Sequence, residues 1–226
     1  MKNLCAFVLS FGLATGSYCQ DVQFGALFGP SLSGSTVKYP PFEVHSPHPG
    51  VGFDIGLFAS MPLGGNVSFR PSLTYSLERA SAVIEGDKAK VHVSFIKLPM
   101  DFVYHSVSMQ SKLSYGIGPF IAYDLGGKYN WSNTRTNSIA FGTDSTTDFG
   151  RSYKRVDVGL ELFAGYQFSE LITFSAKFNY GLLNMVKMTE DPEDKNSAKI
   201  HTLCFGVAVG YILGSKNMTQ KSKGKK

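Results

Sequence analysis

From Asn66 to Glu78 the chain alternates without a break. Val67, Phe69, Pro71, Leu73, Tyr75 and Leu77 form one set, and Asn66, Ser68, Arg70, Ser72, Thr74, Ser76 and Glu78 the other. A period of two is that of an extended strand with one oily and one polar face. The pattern recurs at 22–29, 50–61, 91–105, 112–124, 155–168, 171–181 and 201–213, which makes eight strands. Beyond the first twenty residues, no uncharged apolar run approaches the ~20 residues that a membrane helix needs. A chain of this kind crosses a membrane only as a closed barrel, because lipid leaves no partner for an unpaired strand edge.

The connections alternate in length. PLGG, SVSMQ and FSE are short, whereas SGSTVKYPPFEVHSPHP, RASAVIEGDKAK, residues 126–150 and NMVKMTEDPEDKNS are long. Short turns at one end and long loops at the other, around an even number of strands, is the outer-membrane arrangement.

The composition of the polar face decides between lipid and water. Gly52, Gly56, Gly116, Gly118, Gly159, Gly165, Gly206 and Gly210 all fall on it. Glycine weakens a solvated strand face, but it suits the interior of an eight-stranded barrel, which is only just wide enough for side chains. A soluble lipocalin-like barrel, with its apolar face inside and a charged face outside, is the all-β alternative. The inner face also carries Asp54, Arg70, Lys97, Asp101, Lys112, Asp124, Arg155, Asp157, Glu161 and Lys177. Buried charges need partners, so these ten are expected to form a structural network of ion pairs rather than an open pore. Aromatic residues close the apolar face at both levels. Phe69, Tyr104, Tyr115, Tyr166, Phe168 and Tyr211 lie toward the short turns, and Phe53, Tyr75, Tyr123 and Tyr180 toward the long loops, as in two interfacial girdles.

One segment breaks phase. Its apolar positions are Val91, Val93 and Phe95, then Ile96, Leu98, Met100, Phe102 and Tyr104. An extra residue near Phe95–Ile96 would restore the faces, so a bulge is expected there. Pro71 and Pro99 remove ladder hydrogen bonds, so local irregularities are expected at both.

Residues 1–19, with Lys2, an apolar run from Leu4 and small residues near Cys19, read as a cleaved signal peptide. An acylated Cys19 fits less well after Tyr18. Cleavage leaves Cys204 alone, so no internal disulfide forms. Lys2 leaves with the signal, and five lysines belong to the 215–226 tail. Of the 22 basic residues, 16 therefore remain in 20–214, against 17 acidic ones. Basicity is a property of the tail, read as a periplasmic extension, and no nucleic-acid partner is implied.

The stretches GFDIGLFASMPLGGNVSFRPSLTYSLE, FIKLPMDFVY, SYGIGPFIAYDLGG and VDVGLELFAGYQFSELITFSAKFNYGLLNM resemble the PorT-like outer-membrane β-barrel domain family. The resemblance covers nearly all of 20–214 through loose structural motifs. It implies an eight-stranded outer-membrane barrel. The namesake members serve a protein-secretion machine.

Chemistry-bearing constellations are sparse. Glu43, His45, His48 and His201 have donor atoms for zinc but no compact spacing. His92 and His201 lie near the long-loop rim. His92 shares a face with Ser94, whereas His201 and Thr202 point to opposite faces, so no nucleophile–base pair is assigned. No catalytic, metal or cofactor residues are expected. The long 126–150 segment, with Trp131, reads as a surface loop. The expected protein is a monomeric up-and-down transmembrane β-barrel of the bacterial outer membrane. Its partners are the bilayer and outer-leaflet lipid, and its role is that of a structural or interaction scaffold presenting extracellular loops. The alternatives are a component of a secretion or envelope-assembly machine and a rim enzyme.

Overall fold

The computed structural model describes residues 22–38, 45–84, 87–106, 112–131, 136–138, 152–187 and 199–213. The expected signal peptide 1–19, the expected periplasmic tail 215–226 and most of the long connections lie outside them. The strands are β1 (Gln23–Lys38), β2 (His45–Gly64), β3 (Val67–Ile84), β4 (Asp87–His105), β5 (Leu113–Trp131), β6 (Thr136–Ser138), β7 (Ser152–Tyr153), β8 (Val156–Gln167), β9 (Ile172–Gly181), β10 (Val186–Lys187) and β11 (Lys199–Leu213). Eight of them close a ring in the order β1-β2-β3-β4-β5-β8-β9-β11, each antiparallel to its neighbours. The last ladder, β1 with β11, runs from Phe24↔Leu213 to Lys38↔Lys199. A ring has no edge, so each of these eight strands finds partners on both sides.

The alternation turns the apolar set outward. Val51 is 61% exposed and Leu162 50%; Leu160 and Val207 face the same way. Gly52, Gly118 and Gly206 are buried on the inside, as are Asp54 and Glu161. The inside-polar, outside-apolar order is the reverse of a soluble binding barrel and that of a lipid-facing one. The glycines set the width of the lumen. A Cβ on Gly159 would come within 2.1 Å of the Tyr180 carbonyl oxygen and 2.5 Å of the Phe120 ring. At the β2–β3 turn, Gly64 and Gly65 take φ values of 114° and 58°, a region that favours glycine.

Five of the strands run well past the alternating segments at the long-loop end. Ser31–Lys38, His45–Pro49, Arg79–Ile84, Asp87–Lys90 and Leu125–Trp131 read as loop or loop margin from hydropathy, yet all belong to strands. Hydropathy alternates only where one face meets lipid. Above that belt neither face meets hydrocarbon, and the ladder continues without the signal.

The bulge is displaced from its expected strand. Ser94 pairs with Gly126 and Phe95 with Asp124, so the extra residue is Leu125 on β5. The β3–β4 ladder passes the same level in register, from Ser76↔Phe95 to Leu77↔Ser94. The apolar phase changes because Phe95 turns inward onto Phe120 and Ala122, with Val93 packed beside it. Around the prolines the ladders have gaps without slipping. The β2–β3 ladder passes from Phe58↔Ser72 to Met61↔Phe69, skipping Pro71. The β3–β4 ladder passes from Pro71↔Met100 to Thr74↔Lys97, skipping Pro99.

Candidate functional site

The lumen gathers most of the chemistry. Arg70 on β3 stands opposite Asp101 on β4. Its guanidinium lies 4.1 Å from the ring centroid of Phe58 and 4.3 Å from that of Phe163. Phe58 comes from β2 and Phe163 from β8, strands on opposite sides of the ring. The phenylalanine–arginine–phenylalanine stack therefore bridges the lumen at this level. Arg70 suits the place because a flat, weakly hydrated cation packs on aromatic faces. In the 50–61 segment Phe58 falls among Gly52, Asp54, Gly56 and Ser60 on the polar side of the alternation, and this inward position is the reason. Asp101 interacts with Glu161, Arg70 and Lys177 across the same layer.

A second layer lies toward the long loops. Lys97 on β4 donates to Glu78 Oε1 on β3, and both side chains are buried. Ser76 Oγ donates to Asp54 Oδ1 at 2.5 Å, joining directly opposed residues of β3 and β2. Asp157 on β8 accepts from Thr202 Oγ1 on β11, across the intervening β9. Gly181, the last residue of β9, makes this reach possible. A Cβ there would sit 2.2 Å from Thr202 Oγ1 and 2.3 Å from Asp157 Oδ2. Gly181→Ala is expected to break the bond and strand a carboxylate that is 1% exposed. The expected loss is about 1–3 kcal/mol, read as a lower urea midpoint for unfolding in detergent. A midpoint matching the wild type would contradict it.

Asp124 has a local role. Its Oδ1 accepts from the Gly126 N–H at 2.7 Å, which closes the Leu125 bulge. Gly126 has φ +150° there, which favours glycine.

Of the ten expected lumen residues, Asp54, Lys97, Asp101, Asp124, Asp157, Glu161 and Lys177 are buried, and Arg70 is half-buried. Lys112 and Arg155 are exposed. Each directly precedes or stands just before the first residue of a strand, so each belongs to a rim: Lys112 to the short-turn rim and Arg155 to the long-loop rim. Glu78 was not among the ten. Alternation placed it on the polar face, but only the β3–β4 register brings it to Lys97. The expected balance of charge changes accordingly, and acids predominate among the described buried groups.

The histidines do not converge. His92 and Ser94 share the outer face of β4. The His201 ring stacks on Tyr180 at 6.1 Å, with Nδ1 3.2 Å from the Gly181 carbonyl oxygen. His105 Nε2 and Ser68 Oγ lie 2.8 Å apart at the short-turn rim, a pair that sequence spacing did not suggest. No described carboxylate is hydrogen-bonded to His105, so the pair lacks the third group that orients a catalytic base. Among the described residues, no three metal-binding side chains come together. Glu43 and the side chain of His45 lie outside the described set.

Two aromatic levels mark the outside. Phe69 packs on Phe102 at 5.4 Å, and Tyr104 stands opposite Tyr115 toward the short turns. Tyr75, Ile96 and Tyr123 form one row across β3, β4 and β5 toward the long loops.

The model of a family described as outer membrane protein beta-barrel domain matches residues 16–187. No curated protein matches the chain. Among solved structures, Neisserial surface protein A is similar at 11% identity and a TM-score of 0.48, over 85% of this chain and 99% of that one. OprG from Pseudomonas aeruginosa is similar at 10% identity and a TM-score of 0.44, over 85% and 96%. Ail, the attachment invasion locus protein of Yersinia pestis, is similar at 11% identity and a TM-score of 0.40, over 86% and 100%.

Proposed function

The chain belongs to the family of outer membrane protein beta-barrel domains, and on that premise we propose that it is a closed scaffold, presenting its long connections outside the cell and conducting nothing. The outer membrane is where the protein resides. One observation carries the scaffold reading: the stack of Phe58, Arg70 and Phe163 across the lumen. Contacts of 4.1 and 4.3 Å leave no room for a water file, and the buried charges around it add further obstruction. What varies in such a protein is what the rim displays, since loops on a rigid frame carry recognition. The network of lumen charges serves the frame. No catalytic group is assigned.

Conductance tests this reading. The purified barrel in a planar bilayer is expected to give no steady openings, and Phe58→Ala/Phe163→Ala to give small ones. Sustained single-channel currents from the wild type would sink the proposal.

The motifs shared with PorT-like barrels favour one second reading, a component of a secretion or envelope-assembly machine. FIKLPMDFVY and SYGIGPFIAYD carry it. Recovery of a defined envelope complex with the protein, after mild detergent extraction, would support that role over a solitary scaffold.

A further inference from the structure

Above the outer aromatic row, the outward face of β3, β4 and β5 changes character. The row Tyr75, Ile96, Tyr123 is followed by Leu77, Ser94, Gly126 and then by Arg79, His92, Lys128. Lys90 stands two residues beyond His92 on β4 and faces the same way. Directly opposed side chains on neighbouring strands have Cβ atoms about 5 Å apart. Arg79, His92 and Lys128 therefore form a continuous basic row, and His92 feels the charges of both Arg79 and Lys90. Arg79, Lys90 and Lys128 are exposed. No described acidic side chain faces outward near them; Glu78, Asp101 and Asp124 all point into the lumen.

The bulge is part of this arrangement. Below it, odd-numbered residues of β5 face out. The extra residue Leu125 shifts the phase, so that Lys128 joins His92 on the outer surface. Without it, Lys128 would point inward.

Height decides the partner. Four residues separate Tyr75 from Arg79, about 13 Å along the strand. With the usual strand tilt this is about 10 Å above the girdle. Arginine and lysine side chains bend back toward an interface, so their charges reach the depth of lipid headgroups. Cations at that depth with no described acidic neighbour attract anionic headgroups. A guanidinium beside an ammonium also suits phosphate oxygens, which take several charge-assisted hydrogen bonds at once.

We propose that Arg79, Lys90 and Lys128, with His92 among them, form a binding site for the phosphate groups of an outer-leaflet glycolipid. The site lies on the membrane-facing flank rather than in the loops. It goes beyond the scaffold reading and requires only the barrel's place in the membrane.

Titration calorimetry on the full chain, folded in zwitterionic micelles at low salt, tests it. The probes are bis-phosphorylated lipid A, its dephosphorylated form and inorganic phosphate. The wild type is expected to bind the phosphorylated lipid. Arg79→Gln/Lys90→Gln/Lys128→Gln is expected to bind it about a hundredfold more weakly. The dephosphorylated lipid should bind weakly to both, and millimolar inorganic phosphate should not compete. Equal affinity of wild type and variant would overturn the proposal, as would equal affinity for the two lipids. Displacement by inorganic phosphate would assign the site to a free anion instead, which also overturns it. Unboiled gel migration reports whether the variant barrel has formed, and this separates a folding failure from a lost site. The wild type alone gives an independent answer, because its affinity must fall steeply between 50 and 500 mM salt, chosen as about a tenfold span. A flat salt response would refute the site without any variant.

Discussion

Lys97→Met is expected to destabilise the barrel by about 3–5 kcal/mol, because it leaves Glu78 as an unpaired charge inside the lumen. Lys97 and Glu78 are 6% and 9% exposed at their side chains, and water cannot readily take over the lost contact. The loss should show as a lower urea midpoint with an unchanged slope in detergent. Lys97→Met combined with Glu78→Leu should recover most of it, since removing both partners of a buried pair is often close to neutral. The double variant matters more than the single one. Its recovery would mean that the pair specifies register and packing more than it stabilises. A single variant within about 1 kcal/mol of the wild type would contradict the description of a dry, enclosed pair.

Leu162→Arg is the second large effect, expected at about 2–4 kcal/mol. Leu162 lies midway along β8 on the outer face, flanked by Ile117 of β5 and Phe178 of β9. At that height its neighbours are acyl chains, and a guanidinium can reach neither interface without bending the bilayer. Leu63, close to the β2–β3 turn and 59% exposed, is the matched control. An arginine there should cost about 0–1 kcal/mol, since cost on the lipid face falls toward the interfaces. The comparison is made in lipid vesicles by urea titration. Were Leu162→Arg as mild as Leu63→Arg, the belt would not be in hydrocarbon.

The membrane-level strands were legible in the sequence because two physical demands act on alternate residues. The outer face must be apolar, and a narrow interior admits little beyond glycine, serine and paired charges. Val156–Gln167 satisfies both demands and was placed within one residue of each observed end. The same logic fails above the belt. Ser33, Gly34, Ser35 and Thr36 pair with Cys204, Leu203, Thr202 and His201, yet carry no alternation that would reveal a strand. The bulge was half legible. The change of phase at Phe95–Ile96 marked the right level, but its cause was an inward apolar cluster. The extra residue was announced instead by Asp124-Leu125-Gly126, where a carboxylate can hold the glycine N–H.

The lumen was legible as a face and not as a set of pairs. Which carboxylate meets which cation depends on register between strands, and a single chain does not state its own register. Glu78 shows this: its face was evident, its partner was not. Lys112 and Arg155 show the complementary error. Each continues the polar alternation by one position past the strand, where the side chain has already reached water. The basic row of Arg79, His92 and Lys128 was invisible for the same reason, since its members come from three separated segments and one of them is turned outward by a bulge.

The ladder between β1 and β11 joins the first and last strands of the ring, Phe24 against Leu213. Contacts of such long sequence separation make for slow folding, and this one cannot form until the final strand has left the ribosome. A nascent or truncated chain without β11 would expose the free sides of both β1 and β9 to any strand-forming neighbour. Closure of the ring is therefore all-or-none with respect to synthesis, because the last ladder needs both β1 and β11.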